Sequence, residues 1–227
     1  MIKSRVANQA KQIGDREGGD RFVALASRQL GSGFRLASLL LGNASDAEEA
    51  VRRALLEAWS AWPRLGDVDG FTIWFERHVL VACRAQGRRR QRLRSLAAEL
   101  SRPDADPFAT ALVADPLGRA FLTLPDVQRE ALVLRYCGGR SEDQVEEDLH
   151  AGPGTVAADL RVGLAGLFAG RSSDGEGHGI APDEEWHEYE LTTWFASLPR
   201  AEAPVSLGRF LDRVPGHAPG GLHRHRR

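Results

Sequence analysis

The sequence has little of several features that identify common classes of protein. Its 227 residues include only two cysteines, Cys83 and Cys137, and neither lies in a CxxC motif or near suitably spaced histidines. This scarcity argues against a disulfide scaffold or a zinc module and suits a reducing cytosol. No apolar run approaches the roughly 20 residues of a membrane span, and the polar N-terminus lacks the apolar core of a signal peptide. We therefore expect a cytoplasmic protein with no membrane partner.

Motifs of enzymes and cofactor-binding proteins are missing as well. The sequence contains no GxxxxGK[ST] phosphate-binding loop, no GxSxG nucleophile elbow and no HExxH zinc motif. An acidic cluster around His187 and a His/Arg-rich tail from Leu222 to Arg227 are more typical of solvated surface than of metal sites. The sequence therefore predicts a protein that is not an enzyme and uses no cofactor, metal ion or small-molecule substrate.

Helical periodicity is found along most of the chain, and no stretch alternates as a strand does. It is clearest from Ser45 to Trp62, where apolar residues recur at i, i+3, i+4 and i+7 after a Ser45/Glu48 capping box. We predict an all-α fold with two small helical domains. The expected segments are a mobile N-terminus (1–19), a first helical domain (20–95), a linker (96–117), a helix-turn-helix domain (118–170), a flexible linker (171–182) and a C-terminal extension (183–227).

Arginine is concentrated on the third predicted helix, although the formal net charge of the chain is only −1. From Arg77 to Arg94 there are seven arginines and no acidic residue, and Phe71, Trp74 and Phe75 come just before them. Arginines neutralise phosphates, and aromatic faces stack unpaired bases with about 1–3 kcal/mol per base. This combination favours contact with single-stranded nucleic acid. The alternative is a solvated basic face above an ordinary aromatic core.

Two stretches of the chain resemble the extracytoplasmic-function sigma factors of bacterial RNA polymerase. The segments RLASLLLGNASDAEEAV, ALLEAWSAWPRL and FTIWFERHVL, followed by the arginine run, resemble region 2 of this family. The segments FLTLPDVQREALVLRYCGGRSEDQVEEDL and GPGTVAADL resemble region 4, the second of them at the start of its recognition helix. Together these stretches cover about 120 of the 227 residues, in the order that the family has.

The resemblance implies a transcription initiation factor that binds core RNA polymerase and promoter DNA, with an anti-sigma protein as a further partner. Its second helix would dock on the largest polymerase subunit. The loop 64–70 would hold a flipped base of the minus-ten element, and the recognition helix would enter the major groove of the minus-thirty-five element. The implied contacts are Asp46, Glu49, Arg52, Arg53 and Leu56 for polymerase; Arg64, Phe71, Trp74, Phe75, Arg77, Arg84, Arg88, Arg89 and Arg90 for the minus-ten element; and Thr155, Ala157, Ala158 and Arg161 for the minus-thirty-five element.

The sequence departs from the family pattern in both the region 2-like and the region 4-like stretch. Arg52 and Arg53 stand where the family has Gln-Glu. Residues 120–170 contain four Arg against eight Asp or Glu, whereas duplex DNA attracts basic surfaces. Two alternatives therefore stay open: a sigma-like regulator that no longer initiates and acts through protein contacts, and an ordinary DNA-binding repressor. We also hypothesise that residues 183–214 form two short helices that pack back on a DNA- or polymerase-binding face.

Overall fold

Every regular element that the structure describes is a helix. The computed structural model describes the backbone of residues 2–65, 68–94, 107–169 and 184–215. The all-α prediction is confirmed for these ranges. In chain order the elements are α1 (Ile2–Leu41), α2 (Ala44–Leu65), α3 (Val68–Arg94), α4 (Pro107–Ala114), α5 (Pro116–Thr123), α6 (Asp126–Leu132), a π-helix (Val133–Cys137), α7 (Glu142–Leu149), α8 (Thr155–Phe168), α9 (Glu184–Ser197) and α10 (Val205–Leu211). Among these helices, none offers a segment with the length and apolarity needed to traverse a bilayer.

Helices α1, α2 and α3 form a bundle around an aromatic centre. Phe22 of α1 contacts Trp59 and Trp62 of α2 edge to face, with ring centroids 5.1 and 5.5 Å apart, and Phe71 of α3 at 6.0 Å. Such pairs contribute about 0.5–1.5 kcal/mol each beyond the area they bury. The buried positions of α2 are those that its periodicity predicts: Ala47, Ala50, Val51, Ala54, Leu55 and Ala58.

Several helix boundaries differ from those read in the sequence. The first helix begins at Ile2 rather than near residue 20, and α2 continues two residues beyond Pro63. The C-terminal part of the predicted linker is helical, because α4 and α5 each begin at a proline, a residue well suited to the first turn of a helix. Residues 95–106 and 170–183, which include most of both predicted linkers, and residues 216–227 lie outside the described residues.

The helix-turn-helix unit forms from local signals that the sequence carries. Ser141 and Gln144 form a capping box at the start of α7: the Gln144 amide donates to Ser141 Oγ at 3.3 Å, and the Ser141 amide donates to Gln144 Oε1 at 2.9 Å. Gly163 of α8 packs so closely on α6 that a Cβ atom there would lie 3.1 Å from Leu132. The apolar side chains of α8 recur at intervals of three or four residues, and these four are buried: Val156, Leu160, Leu164 and Leu167.

A left-handed residue ends α7. His150 has φ 53° and ψ 38°, and no other non-glycine residue in the described ranges has a positive φ. This conformation costs an L-amino acid about 1–2 kcal/mol, and glycine avoids that cost. We expect His150→Gly to raise the free energy of unfolding by about 0.5–1 kcal/mol, after the greater entropy of glycine in the unfolded chain is taken into account. Urea denaturation measures it, and His150→Ala, which keeps a Cβ, should give no such gain.

The described part of the C-terminal extension, residues 184–215, forms two short helices, as predicted, and packs on both halves of the chain. Trp194 and Phe195 of α9 contact Phe121 of α5, with ring centroids 5.5 and 5.6 Å apart. Arg35 of α1 donates to the carbonyl oxygens of Phe195 at 2.6 Å and Pro199 at 3.2 Å. The buried apolar residues of the bundle, the helix-turn-helix unit and the extension belong to one continuous core. A division into two domains joined by a flexible linker stays a prediction.

Candidate nucleic-acid interface

The three aromatic residues predicted to stack bases occupy two different environments. Phe71 and Phe75 are buried in the bundle, where their rings stack on each other with centroids 5.9 Å apart and an interplanar angle of 6°. Trp74 is half-buried, and its ring stacks on His78 with centroids 3.5 Å apart. In this structure Trp74 is therefore the one of the three that offers a surface to a ligand, whereas Phe71 and Phe75 match the alternative of an aromatic core.

Arg77 of α3 is bound by two acidic residues at the C-terminal end of α7. Its Nε atom donates to Asp148 Oδ1 at 2.6 Å, and its Nη2 atom donates to Glu147 Oε1 at 2.8 Å. The hydrogen bonds to Glu147 and then Asp148 raise the pKa of Arg77, and the bond from Arg77 lowers the pKa of Glu147. Asp148 is buried, and Glu147 lies at the rim of this contact.

Arg84 makes a bidentate contact with Glu130 of α6. Its Nε atom donates to Glu130 Oε1 at 2.9 Å, and its Nη2 atom donates to Oε2 at 2.5 Å. Glu130 is only 3% exposed, and its hydrogen bonds raise the pKa of Arg84. The neighbouring Cys83 thiol is buried as well, and burial followed by the charge of Glu130 raises its pKa. This cysteine is therefore protonated and unreactive at neutral pH.

A third contact runs in the opposite sense, from the helix-turn-helix unit to α3. Arg140 pairs with Glu76 of α3, and its Nη1 atom lies 3.0 Å from Asp148 Oδ2. Asp148 thus joins Arg77 of α3 to Arg140, which lies between the π-helix and α7. Apart from the Arg140–Asp148 pair, which lies within the helix-turn-helix unit, these ion pairs connect α3 to that unit. We call the set the α3 charge network; it consists of Glu76, Arg77, Arg84, Glu130, Arg140, Glu147 and Asp148.

Four further basic residues are predicted to contact the minus-ten element. Arg88 is exposed, one helical turn beyond Arg84 on α3. The side chains of Arg64, Arg89 and Arg90 lie outside those that the structure describes. Of the predicted basic contacts, the structure therefore brings Arg77 and Arg84 together against carboxylates and leaves Arg88 on the surface.

Sequence reasoning did not identify the acidic partners of α3. Glu130, Glu147 and Asp148 lie 46 to 71 positions from the arginines that they bind. One signal was available, since the acidic composition of residues 120–170 complements the run of arginines without acids on α3. Opposite charges concentrated in two segments of one chain favour contact between those segments.

The predicted polymerase face on α2 is partly open. Glu49, Arg53 and Leu56 follow the i, i+4, i+7 spacing of one helix face, and all three are exposed. Arg52 pairs with Glu48 and Glu49 within α2. Asp46 differs from the others, because it accepts a hydrogen bond from Gln86 of α3 at 2.9 Å. At the edge of this face, Ser206 of the C-terminal extension donates to Glu48 at 2.8 Å.

Helix α8, which the sequence predicts to be the recognition helix, begins next to a negative charge. Glu146 Oε1 accepts a hydrogen bond from the Gly154 amide at 2.6 Å, at the position where a DNA phosphate would approach a helix N-terminus. This carboxylate occupies a favourable site for anions and would repel a phosphate there. Of the four residues predicted to read the minus-thirty-five element, Ala157 is half-buried and the other three are exposed: Thr155, Ala158 and Arg161.

Comparisons with known proteins do not identify a family for this chain. No protein-family model matches the sequence, and no curated protein is significantly similar to it. The resemblance to sigma factors therefore depends on the motifs of the chain itself.

Proposed function

We propose that this chain is a divergent sigma factor of the extracytoplasmic-function type, which binds core RNA polymerase through α2 and separated promoter strands through α3. The observation that carries the proposal is the pairing of these two helices. The exposed face of α2 that holds Glu49, Arg53 and Leu56 belongs to the same bundle as the arginine-rich helix α3. A rigid unit of this kind would hold opened DNA at a fixed position relative to polymerase.

The chemistry of the described side chains suits a polymerase-binding role for α2 and a DNA-binding role for α3. On α2, the exposed Leu56 can bury apolar area, while the opposite charges of Glu49 and Arg53 on the same face fix the orientation of the contact. On α3, Trp74 can stack an unpaired base, and Arg88 can neutralise a phosphate without reading sequence. Extruding a base costs a few kcal/mol, which contacts available only with separated strands would offset.

A second candidate function is a sigma-like regulator that occupies polymerase, or binds another sigma or an anti-sigma protein, without initiating transcription. Two contacts favour it. Glu146 carries a negative charge at the N-terminus of the recognition helix. Arg77 and Arg84 of the predicted strand-binding helix are engaged by carboxylates. Both contacts reduce the positive charge that promoter DNA would meet.

Run-off transcription with purified core polymerase separates the two candidates. If the chain binds core and yields transcripts from defined start sites, it is an initiation factor. Binding to core without transcripts, on a library of promoter fragments, would favour the regulator. Failure to bind core at all would refute the initiation factor and the regulator that occupies polymerase, and would leave only a regulator that binds another sigma or an anti-sigma protein.

The α2 face can be tested with one pair of variants. We expect Leu56→Glu to weaken core binding by about tenfold or more, because it removes apolar contact area and introduces a charge into a desolvated interface. Val113→Glu on α4 is the matched control, since Val113 is 48% exposed and Leu56 is 51% exposed. Fluorescence anisotropy with labelled chain and titrated core polymerase measures both. Equal affinities of the two variants would show that α2 does not dock on polymerase.

A further inference from the structure

We propose that the acidic side chains of α6 and α7 act as an intramolecular substitute for DNA phosphates on α3, so that the chain binds single-stranded DNA only after the helix-turn-helix unit has moved away. This inference rests on the proposed function and deepens it. It assigns the helix-turn-helix unit a role as a built-in competitor for the same arginines that the strands would use.

The first argument is geometric. Arg84 directs two of its nitrogen atoms, Nε and Nη2, at the two oxygens of Glu130. A phosphate presents two oxygens to a guanidinium in the same bidentate manner. Arg77 likewise has its Nε and Nη2 atoms bound to carboxylates. Carboxylate and phosphate therefore compete for the same donors, and a DNA strand cannot occupy them while the charge network is intact.

The second argument concerns the face of α3 on which the competition takes place. Ile73, Arg77, Val81, Arg84 and Arg88 follow one another at intervals of three or four residues and share one side of the helix. Ile73, Val81 and Arg88 are exposed beside the two engaged arginines. Arg88 thus offers a first contact for phosphates at the open end of a surface whose other arginines are occupied.

The third argument is energetic. An interface held by buried ion pairs gains little net stability, because desolvation of the charges offsets most of their attraction. When α3 separates from the helix-turn-helix unit, Glu130 and Asp148 regain water, and the arginines become free to bind a polyanion. The ion pairs themselves therefore oppose this movement less than an equal area of apolar contact would, and the rest of the opposition comes from the apolar core that the bundle shares with the helix-turn-helix unit.

The C-terminal extension adds a second set of contacts to the closed arrangement. It is attached to the π-helix, where the Tyr136 hydroxyl donates to Glu188 at 2.8 Å. At its other end it is attached to the bundle through Arg35 and through Ser206. Because the extension joins both halves, movement of the helix-turn-helix unit must break bonds on one side of it. The extension thereby makes the closed form the resting state.

The test compares the double variant Glu147→Gln/Asp148→Asn with the wild-type chain, both at full length. Glu142→Gln is the matched control, because it removes an acidic charge from the exposed first turn of the same helix and lies outside the charge network. The probe is a fluorescein-labelled single-stranded oligonucleotide, with its duplex as a second probe, at one fixed low salt concentration. We expect the double variant to bind the single strand about tenfold more tightly than the wild type, and the control to bind it as the wild type does.

Hydrogen exchange supplies an independent readout. By thermodynamic reciprocity, saturating single-stranded DNA should speed the exchange of α7 amides in the wild-type chain. Equal affinity of the double variant and the wild type, or an equal gain in the Glu142→Gln control, would overturn the inference while leaving strand binding itself in place. If no variant binds the single strand even at low salt, the proposed function fails and the inference fails with it. If circular dichroism shows that the double variant is unfolded, the single variant Glu147→Gln replaces it in the same comparison, since the Glu147 side chain is 72% exposed.

Discussion

Replacing Arg84 with alanine is expected to lower the free energy of unfolding by about 3 kcal/mol, because it leaves the buried Glu130 carboxylate without its partner. Glu130 is 3% exposed and receives its hydrogen bonds from the Arg84 guanidinium. Loss of one member of a buried pair costs about 3–5 kcal/mol. We expect the lower end of this range, since the Arg84 side chain is itself 31% exposed and water can reach the vacated space.

Three further variants test whether the loss of stability in Arg84→Ala comes from its ion pair with Glu130. Arg88→Ala removes an exposed arginine one turn away and should change stability by less than about 0.5 kcal/mol. Arg84→Lys keeps the positive charge but loses the bidentate geometry of the guanidinium. Its free energy of unfolding should therefore lie between those of Arg84→Ala and Arg88→Ala. The double variant Arg84→Met/Glu130→Leu should recover most of the loss, because an apolar pair replaces the ion pair without an orphaned charge. If urea denaturation shows Arg84→Ala to be no worse than Arg88→Ala, the pair does not stabilise the junction of α3 and α6.

Gly118→Ala is expected to cost about 3 kcal/mol or more, or to prevent α4 and α5 from packing as they do. A Cβ atom at this position would lie 1.9 Å from the carbonyl oxygen of Leu112 and 2.9 Å from its carbonyl carbon. The clash is with backbone, so no side-chain rotation can relieve it. Leu112 and Phe121, the buried anchors of α4 and α5, would have to separate.

Gly70→Ala is the control for the Gly118 experiment. Gly70 also lies in a helix, α3, but a Cβ atom there meets nothing within 4 Å. We expect this change to stabilise the chain by up to about 1 kcal/mol, because alanine has the higher helix propensity. Thermal unfolding followed by circular dichroism compares the two. A small effect of Gly118→Ala would mean that the backbones of α4 and α5 can move apart without loss.

The features that could be predicted from the sequence are local ones. The buried stripe of α2 follows from a spacing that only a helix can place on one side, and the Ser141/Gln144 box is complete within four residues. The sequence predicts a linker where α4 begins, because prolines and acidic residues are typical of loops. A proline is also favoured in the first turn of a helix. In that segment Asp115 caps α5 by accepting from the Leu117 and Gly118 amides at 2.7 and 3.1 Å.

The candidate site was harder to predict, because periodicity identifies the face of a helix and not the partner of that face. The pattern around Trp74 predicts a helix with aromatic and basic sides, and it cannot distinguish the half-buried Trp74 from the buried Phe71 and Phe75. The partners of Arg77 and Arg84 come from helices far along the chain, and only their opposite charge suggested them. Protein–protein and protein–nucleic acid contacts use arginine in the same way, so the residue type alone does not identify the ligand.

The position of Cys83 makes its thiol a probe for separation of α3 from α6. Its sulfur is buried where α3 meets α6, among Arg84, Arg129 and Glu130. An alkylating reagent can reach that sulfur only during moments when the two helices part, and each such moment leaves a covalent mark. With Cys137 changed to serine, the rate at which the chain gains one adduct reports the opening of the junction between α3 and α6.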